Sequence, residues 1–109
     1  MIGALSALAL TATAALAQSR EVWLASGEST MVEGYFNAGE TIYGSCDADC
    51  SDMDLTLYDE SGNAVASDNA YDANPIVTAP NAGYYQIEVV MASCSTAQCA
   101  AWVDSDAGF

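Results

Sequence analysis

Histidine and lysine are absent from this chain, and arginine occurs once, at Arg20. Without His there is no Ser-His-Asp or Cys-His nucleophilic machinery, and the commonest catalytic metal ligand is missing. Without Lys there is no Schiff-base or lysine-base chemistry. A single cation cannot neutralise a phosphate backbone, so nucleic acid is excluded as a partner. Docking to anionic lipid is disfavoured on the same ground. No Gly-rich loop precedes a helix to cradle a phosphate, and no C-x-x-C redox motif occurs. Paired carboxylates alone could run glycoside hydrolysis, but so small a domain rarely encloses a sugar cleft. The chain is expected not to be an enzyme.

What is present is acid: fifteen Asp and Glu against the one Arg, for a net charge of −14. All of it follows an uncharged start, MIGALSALALTATAALA, whose small residues end in Ala15-Leu16-Ala17. The pattern reads as a secretory signal peptide over 1–17 with cleavage after Ala17, although no Lys or Arg precedes the apolar run. The run is short and rich in Ala and Thr for a membrane span. The expected location is periplasmic or secreted, with no membrane insertion once the signal is removed. Residues 18–109 form one domain. So acidic a surface repels itself at low salt, and screening limits that repulsion to about 8–10 Å at ordinary ionic strength. Adaptation to a saline habitat and cation binding would both account for it. Disorder would not: 52% of residues are hydrophobic, with two Trp, six Tyr and two Phe, whereas disordered acidic chains are poor in such residues.

Short apolar runs recur over Glu21–Ala25, Thr30–Phe36, Thr41–Cys46, Met53–Tyr58, Ala64–Ser67, Pro75–Thr78, Tyr84–Met91 and Cys99–Val103. Gly, Asn, Asp and Ser separate them, as in Asn37-Ala38-Gly39 and Asn81-Ala82-Gly83. This spacing predicts an all-β sandwich or barrel, and no run keeps helical periodicity. In Met53–Tyr58, Met53, Leu55 and Leu57 share one face; in Tyr84–Met91, Tyr85, Ile87, Val89 and Met91 do. Those faces are assigned to the core, and the alternate residues to solvent. Asp59-Glu60-Ser61-Gly62-Asn63 is a hairpin turn. The remaining tyrosines are expected to be ordinary strand residues rather than a ligand platform, and Trp23 and Trp102 to be core plugs.

Cys46 and Cys50 are four residues apart, Cys94 and Cys99 five. Two local disulfides are the simplest reading, and they supply the staples that so small a domain needs. Crossed pairing stays open, since four cysteines allow three connectivities. The competing reading is a four-thiolate zinc site, because both spacings fall within metal-ligand range; an oxidising compartment favours disulfides. Between and after the first pair lie Asp47, Asp49, Asp52 and Asp54. These four carboxylates with no nearby cation are candidate calcium ligands. Asp68, Asn69 and Asp72 form a second cluster. Neither has the central Gly or closing Glu of an EF-hand, and solvated turn residues are the plainer interpretation.

Several segments, taken together and in order, resemble the bacterial pre-peptidase C-terminal (PPC) domain family. Phe36-Asn37-Ala38-Gly39-Glu40-Thr41-Ile42 is similar to its F-x-x-A-G-E-T strand-turn-strand. Asp54-Leu55-Thr56-Leu57-Tyr58-Asp59-Glu60-Ser61-Gly62-Asn63 is similar to its D-L-x-L-Y-D-x-x-G-N hairpin, and Ala66-Ser67-Asp68-Asn69 follows as its continuation. Ala79-Pro80-Asn81-Ala82-Gly83-Tyr84-Tyr85-Gln86-Ile87-Glu88-Val89 resembles its A-P-x-x-G-x-Y-x-(I/V)-x-V strand. The resemblance covers roughly residues 22–103. It implies a jelly-roll-like antiparallel β-sandwich of about seven or eight short strands, of a kind that accompanies secreted hydrolases, with some relatives binding calcium. A catalytic domain is not expected beside it, and the paired cysteines are not part of that family's pattern. The expected function is an exported, non-catalytic binding or accessory module contacting a protein or polysaccharide in the cell envelope or outside it. The alternative is a calcium-binding structural domain.

Overall fold

The computed structural model describes residues 20–109; the expected signal peptide lies outside them. Eight strands follow one another: β1 (Arg20–Leu24), β2 (Ser29–Phe36), β3 (Thr41–Cys46), β4 (Cys50–Tyr58), β5 (Ala64–Asp68), β6 (Ile76–Thr78), β7 (Gly83–Cys94) and β8 (Cys99–Ser105). No helix occurs among the described residues. The strands form two four-stranded antiparallel sheets, ordered β1-β8-β3-β6 and β2-β7-β4-β5.

That order has a simple origin. β1 pairs with β8, β2 with β7, β3 with β6 and β4 with β5. The chain is thus one long antiparallel ribbon doubled back at the β4–β5 hairpin. The pairings β3–β8 and β4–β7 then join ribbon segments side by side. This is the jelly-roll wrap of a β-sandwich.

The core is the inward alternation of both sheets. Phe36, Ile42, Met53, Leu55, Leu57, Ile87, Val89, Met91 and Val103 are all fully buried. The predicted in-facing residues of β4 and β7 are among them except Tyr85, which is buried but 6% exposed, so hydrophobic burial sets the register of these strands. β4 starts at Cys50, three residues before the apolar alternation does. The polar Ser51-Asp52 carries no strand signal of its own. Register shifts between Cys50 and Asp52 and between Asp52 and Met53 absorb the irregularity, and Met53 still faces the core.

Local chemistry makes the turns. Asp59 Oδ1 accepts from the Ser61 and Asn63 N–H groups, and Gly62 supplies φ +85°, a conformation that costs glycine little. At the β2–β3 turn, buried Glu40 accepts from the Asn37 N–H through Oε1 and from the Ser105 hydroxyl through Oε2. A buried carboxylate is tolerated because both its oxygens are bonded.

Candidate functional site

The acidic stretch that begins at Cys46 is divided by the fold. Asp47 leaves the end of β3, where its backbone N–H donates to Ala100 O at 3.0 Å. Its Oδ2 accepts from the Ala100 N–H at 2.9 Å and its Oδ1 from the Asp49 N–H at 3.1 Å. The side chain stands in for the carbonyl that the turning backbone withdraws from β8. One Asp47 oxygen therefore serves the sheet and the other the β3–β4 turn. Asp49 is exposed, and its backbone carbonyl accepts from Ser95 N–H and hydroxyl.

Asp52 and Asp54 sit further along β4, with one oxygen of each buried and unpartnered. Asp54 has its carboxyl pKa raised, first by desolvation and then by the charges of Asp52, Asp68 and Asp72. Asp68 in turn accepts from the Ala70 and Ile76 N–H groups, and Asp72 from Asn74 N–H. These two acids shape the 69–75 loop that crosses beside Met53, whose N–H donates to Asp72 O. Among the described residues no group of three or more acidic or cysteine side chains is arranged to hold a metal ion.

The cysteines form disulfides, Cys46–Cys50 and Cys94–Cys99, with Cα–Cα distances of 5.9 and 6.0 Å. No free cysteine remains among the described residues, so the four-thiolate zinc reading is overturned. Each disulfide spans a turn that passes from one sheet to the other, and Cys50 and Cys94 are cross-strand partners. The two staples therefore sit together at one end of the sandwich.

The tryptophans are not core plugs. Glu21 and Trp23 alternate outward on β1, and Trp23 is 55% exposed. Trp102 lies opposite Glu21 on β8 and is half-buried. One carboxylate holds both rings: Glu21 Oε2 accepts from Trp23 Nε1 at 2.9 Å and Oε1 from Trp102 Nε1 at 3.2 Å. The apolar interior is filled by aliphatic, Cys and Phe side chains and Tyr85, and the strand alternation leaves both indoles outside. The signal was legible: Val22 and Leu24 are the inward pair of β1, which forces Trp23 out.

On the other sheet Tyr35 and Tyr84 pack edge to face, with centroids 5.1 Å apart, on the outer side of the β2–β7 ladder. Tyr84 lines several open grooves. One, of about 270 Å³, is lined by Glu33, Asp59, Glu60, Tyr84 and Gln86 among others. A second, of about 490 Å³, runs past Tyr35 to Arg20 and Phe109. Arg20 is engaged there: its guanidinium lies 5.0 Å from the Phe109 ring centroid and its Nε donates to Phe109 O. The first groove thus has an aromatic floor, and every charged residue in its lining is acidic. Nearby, Tyr58 donates to Glu88 Oε1 at 3.1 Å, and that bond and charge raise the phenol pKa.

No protein-family model matches the chain, and no curated protein sequence matches it. Among solved structures it is similar to Aeromonas hydrophila PliG, a periplasmic lysozyme inhibitor of g-type lysozyme. The TM-score is 0.54 at 12% identity, over 82% of this chain and 85% of that one. Identity this low speaks for a shared fold alone.

Proposed function

We propose that this protein is an exported, non-catalytic binding module that docks a basic protein partner through the acidic groove beside Tyr84. The observation that carries this reading is the pairing of an exposed tyrosine with Glu33, Asp59 and Glu60 around one concavity, with no cation in its lining. Tyrosine gives rigid amphipathic contact area, and the carboxylates give complementarity to Lys and Arg. The net charge of −14 would speed encounter with such a partner in a salt-dependent way. Two disulfides suit an oxidising compartment. The absence of His and Lys argues against catalysis. The likeness to PliG, which is described as inhibiting a lysozyme, makes g-type lysozymes the first partner class to try.

The test is inhibition and direct binding. Purified protein is titrated into g-type lysozyme while cell-wall lysis is followed, and binding is measured in parallel at two salt concentrations. Expected are saturable binding that weakens with salt, and a roughly tenfold loss on Tyr84→Ala or on the pair Asp59→Asn and Glu60→Gln. Absence of binding to g-type lysozymes and to other basic envelope proteins at low salt would end this reading. Saturable binding to an envelope polysaccharide in their place would transfer the groove to a glycan.

A further inference from the structure

We propose that the outer face of the β1-β8-β3-β6 sheet is a separate contact surface that receives an arginine side chain of a protein partner. The guanidinium would lie against the indoles of Trp23 and Trp102, with Glu21 as its counter-charge. The inference shares with the groove reading the premise of a basic protein partner, but it rests on different residues on the opposite sheet.

Four observations converge there. First, Glu21 binds both indole N–H groups, at 2.9 and 3.2 Å. The polar handle of each ring is thereby used, and what the rings offer a partner is their π surface. Second, the same two bonds tie both side chains to one anchor on the sheet. Less side-chain entropy is then lost on docking, which is how a preorganised contact gains affinity. Third, a carboxylate has about four lone-pair positions. Two of those on Glu21 are taken by the indoles, and the residue is exposed, so the others face solvent. Fourth, the surface extends across the sheet through Tyr43 and Ile76, 39% and 56% exposed, with Asp104 opposite Tyr43 on β8. No cationic side chain of this chain can serve the face. Arg20 is the only one, and its guanidinium is turned to Phe109.

An aromatic surface built around an under-used carboxylate, in a chain with a net charge of −14, is complementary to a cation. Arginine fits best among the cationic side chains. Its guanidinium is planar, weakly hydrated and able to stack on an indole while donating in the carboxylate plane. Lysine meets the charge but offers a strongly hydrated point ammonium with no flat face. A neutral sugar could stack on the rings, but it would leave the charge of Glu21 unanswered. An anionic ligand is repelled.

The experiment is calorimetric titration of the full protein with three probes: a hexa-arginine peptide, a hexa-lysine peptide and a neutral hexamer of N-acetylglucosamine. Expected is saturable binding of hexa-arginine, tighter than hexa-lysine by roughly fivefold. Trp23→Ala and Glu21→Gln should each weaken it by about fivefold or more, while Glu60→Gln on the other sheet changes it by less than about twofold. Trp23 is exposed, so Trp23→Ala should melt close to the parent; Trp23→Phe, which keeps a ring, should retain part of the affinity. Equal affinity for both peptides, with Glu21→Gln no worse than Glu60→Gln, would reduce the interaction to net charge and overturn the proposal. So would binding of the sugar hexamer that Trp23→Ala abolishes, which would make the face a glycan platform. The two surfaces are told apart with the lysozyme assay. If Tyr84→Ala abolishes lysozyme binding while hexa-arginine still fails to bind, the groove reading stands and this one falls. If hexa-arginine behaves as expected and no lysozyme binds, the reverse holds.

Discussion

Replacing Asp47 by Ala tests whether the acid-rich stretch serves the fold or a ligand. The substitution removes the acceptor for the Ala100 N–H, which belongs to a residue only 2% exposed. A buried donor left without a partner costs about 1–3 kcal/mol. The bond to the Asp49 N–H is lost too, but that group is exposed and water replaces the carboxylate at a cost of about 0.5 kcal/mol. The sum is about 2 kcal/mol, which for a domain of this size lowers the Tm by roughly 8–16 °C. Asp47→Asn keeps a carbonyl oxygen within reach of Ala100 and should lose less than about half of that. The assay is a thermal melt of each oxidised protein in chelator, in millimolar calcium, and in sodium chloride of matched ionic strength. The deficit of Asp47→Ala should be the same in all three. A loss below about 0.5 kcal/mol would refute the capping role. A deficit that appears only with calcium would refute it as well, and would return Asp47 to the set of cation ligands.

Three further outcomes follow from the same structure. Cys46→Ala/Cys50→Ala and Cys94→Ala/Cys99→Ala open loops of five and six residues and should each cost about 2 kcal/mol by chain entropy, read from denaturant midpoints; because Cys50 and Cys94 are cross-strand partners, the combined loss should depart from the sum. Asp54 has a folded pKa above its unfolded one, so the stability it contributes is full below the unfolded value and lost as pH rises through the folded value. Asp54→Asn should therefore raise the Tm at neutral pH, with the advantage shrinking as pH falls through the folded pKa; a gain independent of pH would contradict this. Gly34→Ala would place a Cβ 2.6 Å from Phe109 Cδ2 and 3.0 Å from Phe36 Cζ, an overpacking worth about 1–3 kcal/mol. In a Phe109→Ala background most of that cost should vanish, and its persistence in the melts would place the strain elsewhere.

Much of the fold is legible in the residues because its information is local. The alternation of Met53, Leu55 and Leu57, and of Tyr85, Ile87, Val89 and Met91, selects the buried face without reference to any partner strand. Asp59 and Gly62 make their turn from their own hydrogen bonds and dihedral. The short spacings of the cysteines anticipate the two disulfides for the same reason. The extra length of β4 is not legible, since Ser51 and Asp52 join the strand only through pairing with β7.

Function-bearing contacts were harder to read because they join residues far apart in the chain. Asp47, Asp49, Asp52 and Asp54 look like one cluster in sequence, yet a turn and an irregular strand start separate them, and Asp47 is used up by Ala100. Asp54 instead gathers Asp68 and Asp72 from the β5–β6 loop. Glu21 and Trp102 meet over 81 positions of chain through the β1–β8 pairing, and Glu40 reaches Ser105 in a similar way. The sequence by itself determined the fold class and the local staples: strand periodicity, turn chemistry and cysteine spacing act over a few residues. Only the tertiary structure decided which acids cap the sheet, which carry an unrelieved charge, and which one anchors two indoles on an outer face, because antiparallel pairing of strands distant in sequence is what brings those groups together.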